Sequence, residues 1–183
     1  MYHIPRDRRA ERSAERIFES LMACQGARGV ADASVTEVAA GAGVGRSTFY
    51  RLFDNTSDVL LWKCDQVLGV ALGRAGEQGS LDEVFTTFIA AWLEQRELLQ
   101  ALLRSNMTDL LFEAHMGRMD EVERVFFEGE TLEEGRREYL VTMLASMMAT
   151  AFKLWERHPE PTPEEMLADF RGALYDLYVL FEG

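Results

Sequence analysis

The chain has 183 residues, 48% of them hydrophobic, with 31 acidic and 19 basic side chains and a formal charge of −12. That length buries a sizeable core in one domain or two small ones, while the acid excess excludes a surface that is basic throughout. No stretch reaches the roughly 20 consecutive apolar residues of a spanning helix, and the start MYHIPRDRRAERSAER lacks the apolar centre of a secretory signal, so a cytoplasmic protein with no membrane partner is expected.

The charge is unevenly spread. Residues 1–64 carry 9 basic and 8 acidic side chains, whereas residues 65–183 carry 10 and 23. The only cysteines, Cys24 and Cys64, form neither a CxxC pair nor a disulfide framework, and they read as small buried hydrophobes.

Prolines occur only at positions 5, 159, 161 and 163, and strand-like alternation is nearly absent, so the chain reads as all-α. Helix starts follow from a Ser, Thr or Asn whose side chain accepts a first-turn N–H, with an acid three residues later. The matches are Ser34 with Glu37, Asn55 with Asp58, Ser80 with Glu83, Asn106 with Asp109, Thr131 with Glu134 and Thr162 with Glu165. Glycines 26, 29, 43, 73, 76, 79 and 129 and the His158-Pro159 pair mark stops. The predicted helices span 9–25, 35–42, 46–52, 56–75, 81–104, 107–127, 132–157 and 163–181, with a break in the fifth near Arg96.

In the first helix Ile17, Leu21 and Cys24 share a face, with Phe18 and Met22 beside them. Arg12, Glu15, Arg16 and Glu19 are left for solvent or phosphate. Leu140, Leu144, Met147, Ala151 and Trp155, widened by Met143, Met148 and Phe152, make the apolar face of 132–157. Met166, Phe170, Leu174, Leu177 and Phe181, widened by Leu167, Tyr178 and Leu180, make that of 163–181. Both faces are wider than one neighbouring helix needs and suggest a further surface, such as another subunit.

The segment SVTEVAAGAGVGRSTFYRLF, residues 34–53, reads as two short helices around a tight turn. Val35, Val38 and Ala39 face a core, Ala42 allows close approach, Gly43 suits the turn and Val44 fills it. Gly45 caps the second helix less well than Ser would. There Phe49, Leu52 and Phe53 point inward, leaving Arg46, Ser47, Thr48, Tyr50 and Arg51 at the start and on the exposed side. Arg and short side chains suit base edges, and Tyr and Arg suit phosphates, which is the composition of a recognition helix.

From Arg16-Ile17-Phe18 through Gly29, Ser34-Val35, Val38-Ala39, Ala42-Gly43-Val44, Thr48-Phe49-Tyr50 and Phe53 to Val59-Leu60, the chain resembles the DNA-binding domain of TetR-family transcriptional regulators. The resemblance covers about a third of the chain. It implies an N-terminal three-helix DNA-binding domain with a helix-turn-helix, residues 1–55, followed by a helical effector-binding and dimerisation bundle, residues 56–183. It further implies phosphate contact by Thr36 and Tyr50, base contact by Arg46, Ser47 and Thr48, and either by Arg51. Arg6, Arg8, Arg9 and Arg12 could form an arm adding phosphate or minor-groove contacts, or a solvated tail. The chain departs from the family pattern at Thr56, where a phosphate-binding Lys is usual, and at Gly45, where Ser or Thr is common.

The resemblance also implies a homodimer formed through the helices 132–157 and 163–181, a near-palindromic double-stranded DNA operator, and a pocket for a small molecule. Phe88, Trp92, Met107, Phe112, Met116, Met143 and Met147 are the candidate lining, and they suit an apolar effector; ordinary core is the other reading of each. Glu94, Asp109, Glu113 and Glu138 would favour a cationic ligand if any pointed inward. No catalytic role, metal or cofactor is expected, because His3, His115 and His158 sit in no HExxH motif or Cys/His cluster and Gly41-Ala-Gly43-Val-Gly45 lacks the third glycine of a dinucleotide loop. The expectation is a ligand-responsive regulator, with repression its expected sign. The alternative is a helical small-molecule or protein-interaction module whose N-terminal domain no longer binds DNA.

Overall fold

A computed structural model of the chain describes residues 2–5, 7–24, 29–127 and 133–182. Its regular structure is helical apart from one isolated antiparallel bridge, Tyr2 to Phe53. The helices are α1 (Arg8–Ala23), α2 (Val35–Gly41), α3 (Arg46–Leu52), α4 (Thr56–Ala75), α5 (Leu81–Leu93), α6 (Arg96–Arg104), α7 (Asp109–Gly117), α8 (Met119–Phe126), α9 (Glu134–Arg157) and α10 (Pro163–Glu182), with a 3₁₀ turn at Val30–Asp32. The proposed stops at Gly26 and Gly129, the Thr131 cap and Arg6 lie outside the described residues.

Two compact units make up the chain. One comprises residues 1–66 and 97–114, the other residues 67–96 and 115–183. In the first, Asp7 caps α1 by accepting from the amides of Arg9 and Ala10 at 2.9 and 2.8 Å. Arg8, Arg9 and Arg12 therefore belong to α1 rather than to an arm. The buried face of α1 is Ala10, Ala14, Ile17 and Leu21, so it extends further toward the start than the larger apolar residues indicate. Phe49, Leu52, Phe53, Val59 and Leu60 complete this core at 0–1% exposure, and the Phe53 and Trp62 rings meet edge to face at 6.0 Å.

Capping follows the side-chain rule at four of the starts predicted from it. Reciprocal boxes join Ser34 to Glu37 and Ser80 to Glu83, Asn55 accepts from the Asp58 amide at 2.9 Å, and Thr162 and Glu165 exchange bonds at 2.8 and 3.3 Å. Asn106 behaves otherwise. At φ +54° it ends α6 in the left-handed region. Its amide reaches the Leu103 carbonyl and that of Met107 the Leu102 carbonyl, the pairing of a Schellman stop, where Asn substitutes for Gly. The helix predicted over 107–127 is accordingly two. It starts at Asp109 and breaks at Arg118 (φ −121°, ψ 29°), which follows Gly117. The long fifth segment breaks at the Glu94–Gln95 turn.

The second unit centres on aromatic rings. Phe88 meets Phe126 at 5.1 Å and His115 at 6.0 Å, and Trp92 lies 6.1 Å from Phe152 and stacks on His115 at 6.4 Å. Gly69 leaves room for Arg118, whose Cζ would lie 3.0 Å from any Cβ there and whose guanidinium pairs with Glu121 at 2.9 Å. Arg137 on α9 pairs with Asp120 and Glu123 of α8. α10 packs along α5, where Arg171 bonds Asp82. Buried side chains of α10 stop at Met166 and Leu167, and residues 171–180 are exposed.

Candidate nucleic-acid interface

The recognition segment is built by opposite demands on a helix of only seven residues. Phe49 and Leu52 are fully buried, and Phe53, the C-cap, continues that face. At 100° per residue this turns Arg46, Ser47, Tyr50 and Arg51 outward, and all four are exposed, Tyr50 by 55%. Thr48 is half-buried between the faces. The Tyr50 ring stands edge-on to Phe49 at 5.7 Å, which holds it off the core. Thr36, second residue of α2, is exposed; Thr56, first residue of α4, is half-buried. All seven predicted DNA-facing residues thus lie in the first unit, six of them within 46–56 and only Thr36 on α2.

Three contacts aim the recognition helix, and only one was prominent in the sequence. Gly43 adopts φ +61°. Its amide bonds the Ala40 carbonyl and the Val44 amide the Ala39 carbonyl, both at 3.0 Å, which closes α2 in a Schellman stop and reverses the chain into α3. Arg16 is the second. Instead of facing solvent or phosphate, its guanidinium donates to the carbonyls of Ala42 and Gly43, the second at 3.3 Å. A cation there meets the negative end of α2. Third, the Ser20 hydroxyl donates to the Val38 carbonyl at 2.9 Å, and a Cβ at Gly41 would overlap that hydroxyl. Gly41, more than Ala42, is what lets α1 and α2 approach.

A fourth feature has no periodic signal. The N-terminal strand residues run beside the end of α3, where the His3 amide donates to the Leu52 carbonyl at 2.8 Å and Tyr2 bridges to Phe53. His3 Nε2 then lies 3.4 Å from Asp54 Oδ1. Asp58 is buried and accepts from the Asp54 amide at 3.0 Å, so the turn between α3 and α4 is rigidly bonded.

The seven candidate effector residues do not assemble as one lining. Met107 and Phe112 belong to the first unit and the other five to the second. Phe88 and Trp92 are fully buried in the aromatic core. Met116 accepts from the Thr142 hydroxyl at 3.8 Å, and Met143 is 53% exposed. Met147 alone lines the cavity found in the second unit, a groove of about 530 Å³ between α9 and α10 walled also by Leu154, Trp155, Met166 and Phe170. Among the described residues no cluster of His, Cys, Asp and Glu could hold a metal ion, and no helix is long and apolar enough to cross a membrane.

Comparison with known proteins agrees with this geometry. Residues 17–61 match the family model described as bacterial regulatory proteins, tetR family. No curated protein sequence matches the chain. Among solved structures, a TetR-family regulator from Syntrophomonas wolfei aligns with TM-score 0.65 at 15% identity, over 92% of this chain and 96% of its own. The fatty acid degradation regulator FadR from Bacillus halodurans aligns with TM-score 0.59 at 16% identity, over 88% and 94%. SmeT, repressor of a Stenotrophomonas maltophilia multidrug efflux pump, aligns with TM-score 0.54 at 20% identity, over 83% and 82%. At these identities the structures establish the shared fold, and the family model places the DNA-binding domain on the helices described above. Residues 17–61 thus match the DNA-binding domain of the tetR family of bacterial regulatory proteins, and the chain as a whole shares the fold of the solved TetR-family regulators.

Proposed function

We propose that the chain is a homodimeric, effector-released repressor that reads a near-palindromic operator with α3. The observation that carries the reading is the division of that helix. Arg46, Ser47, Tyr50 and Arg51 are exposed above fully buried Phe49 and Leu52, so the donors stand on a rigid base and lose little freedom on binding DNA. Arg46, Ser47 and Thr48 take base edges, Tyr50 and Thr36 take phosphates, and Arg51 takes either. Thr56, at the first residue of α4, contributes a hydroxyl to the backbone in place of a cation.

Dimerisation through α9 and α10 is supported by their exposed apolar side chains. Tyr139, Met143 and Leu154 on α9 and Leu174, Tyr175, Leu177, Tyr178, Val179 and Leu180 on α10 are 41–78% exposed, large apolar side chains of the kind that a partner surface covers. Two-fold symmetry in the protein then asks for two-fold symmetry in the operator. An apolar effector suits the second unit, whose groove has the volume of a small-molecule site. Release requires that the effector prefer a conformation in which the two reading heads no longer match the half-site spacing. The protein acts in the cytoplasm, where its DNA is, and needs no catalytic step or cofactor.

Selection of fragments from genomic DNA tests the reading. The protein should enrich a near-palindromic duplex, and an Arg46→Ala, Tyr50→Ala double variant should bind it at least about tenfold more weakly. Unchanged binding by the double variant, or an affinity indifferent to salt, overturns the interface. For the dimer, a Leu177→Glu, Tyr178→Glu variant should sediment as a monomer with native helicity; an unchanged dimer would place the interface elsewhere.

A further inference from the structure

We infer that the groove between α9 and α10 takes an apolar ligand with one cationic, hydrogen-bond-donating head, a primary ammonium being the simplest, and that Asp169 anchors that head; this rests on the effector-binding role proposed for the second unit. The groove lies within that unit and has a volume of about 530 Å³, inside the usual range of small-molecule sites. Its floor is apolar. Trp155 and Met166 are buried there, and Met147, Ala151 and Phe170 are half-buried beside them, which suits a hydrocarbon chain or ring.

The rim decides the polarity of the head. Ser146 and Thr150 stand one turn apart on α9, and each hydroxyl donates to a carbonyl of its own helix, Ser146 to Thr142 and Thr150 to Ser146, both at 2.9 Å. With their protons so engaged, these oxygens offer the groove only lone pairs. On the α10 wall Asp169 is the only acid of the lining, and no Lys or Arg accompanies it. Among the described residues its carboxylate has no hydrogen-bond or ion-pair partner. Arg171, two residues on, is bonded to Asp82 instead, and Arg96 lies on the Trp155 ring, 5.0 Å from its centroid, without joining the lining. His158 and Trp155 are the only lining side chains that keep an N–H to donate. A head group entering here meets two hydroxyl acceptors and one negative charge, which repel a carboxylate and hold an ammonium by charge-assisted hydrogen bonds. Leu154 belongs both to this groove and to the apolar surface assigned to the dimer, so a second copy is the rival occupant. A partner presenting the same apolar faces would bury Asp169 without a counter-charge, which is costly, whereas an ammonium supplies one.

Calorimetric titration of the full chain with decylammonium, decanol and decanoate, three ligands of one chain length and different heads, tests this near neutral pH at low salt. Asp169 is exposed, so its charge is worth the few-fold effect of a solvated pair. Asp169→Asn should weaken decylammonium binding about three- to fivefold, leave decanol unchanged and tighten decanoate. Asp169→Lys should reverse the order of the two charged ligands, and all these differences should shrink as salt is raised. Circular dichroism establishes that each variant is folded. No binding of decylammonium by wild type, decanoate bound as tightly as decylammonium, or a change at Asp169 that shifts all three ligands alike overturns the inference. So does binding that appears only in the Leu177→Glu, Tyr178→Glu variant, because the groove is then filled by a second copy. Operator release, followed by fluorescence anisotropy in the same titrations, is a separate readout. Decylammonium held through Asp169 without release counts against the effector role while the inference stands; release by decanol or decanoate alone supports that role and overturns the inference.

Discussion

Gly43 and Arg16 show how few atoms orient the recognition helix. At φ +61° a side chain at position 43 is strained by about 1–2 kcal/mol, and its Cβ would stand 2.7 Å from the Arg16 guanidinium. Gly43→Ala should therefore lower unfolding stability by at least that amount in urea titration and weaken operator binding further, because Arg16 must leave the carbonyls it holds. Cys64 provides a pH-dependent test. Complete burial pushes its thiol above the ordinary 9.0, with the neighbouring Asp65 charge adding to the shift. The folded chain keeps the thiol neutral while the unfolded chain ionises it, so this contribution is complete below pH 9 and declines as pH rises further. Cys64→Ala should be less stable at pH 7, through the cavity it leaves, yet lose less stability than wild type between pH 9 and 10.5 in denaturant titrations. Position 43 was legible from residue type. The Arg16 contact was not, because an arginine on the polar side of an amphipathic helix gives no sign that a second helix ends within its reach.

At the scale of the element, α3 separates stability from recognition within one pair of neighbours. Phe49 is fully buried against Phe53 at 5.8 Å, whereas Tyr50 is 55% exposed. Phe49→Ala should cost about 3–5 kcal/mol, and Tyr50→Ala less than about 1 kcal/mol, in thermal or urea unfolding. Operator affinity should fall in both, but for the Tyr50 variant with no matching loss of fold. Helix starts were legible where the capping side chain has an acid three residues later, as at Ser34, Ser80 and Thr162; Asp7, which caps α1 without one, was not. Asn106 ends a helix rather than starting one, because Asn serves equally at a start and in a left-handed stop. The choice between the two depends on where the Leu102 and Leu103 carbonyls find donors. Periodicity likewise gave no sign of a break at Arg118, since a helix over 107–127 satisfies it as well as two shorter ones do; Gly117 was the one local mark of it. The turn there lets Arg118 face Gly69 and pair with Glu121.

Over the whole molecule the charge of −12 comes from residues 65–183, with 23 acidic against 10 basic side chains, while residues 1–64 have 9 basic and 8 acidic. Repulsion between these acids and phosphates should suppress non-specific binding while leaving operator contacts to the N-terminal residues. Replacing Glu113, Asp120, Glu121 and Glu138 with their amides should raise affinity for random duplex DNA at low salt. Unchanged non-specific affinity would show that the acid load only keeps the protein soluble. Asp120 also pairs with Arg137 and Glu121 with Arg118, so the same variant should be modestly less stable, and the two effects separate by measuring unfolding alongside binding.

The amino-acid sequence by itself determined the helical class, the helix-turn-helix and the outward set Arg46, Ser47, Tyr50 and Arg51, because caps, glycine turns and 3.6-residue periodicity act between residues close together in the chain. It also contained the wide apolar faces of α9 and α10. Tertiary structure decided what depends on distant partners. Arg16 reaches a carbonyl 26 residues away, Gly41 lies against Ser20, and the backbone of residues 2–3 is bonded to the end of α3 and carries His3 to Asp54. It also withdrew Phe88 and Trp92 into the aromatic core, leaving Met147 alone of the predicted effector residues on the open groove. Apolar residue types announce burial, but whether they fill a core or wall a cavity depends on which helices approach, and periodicity within one helix is silent on that.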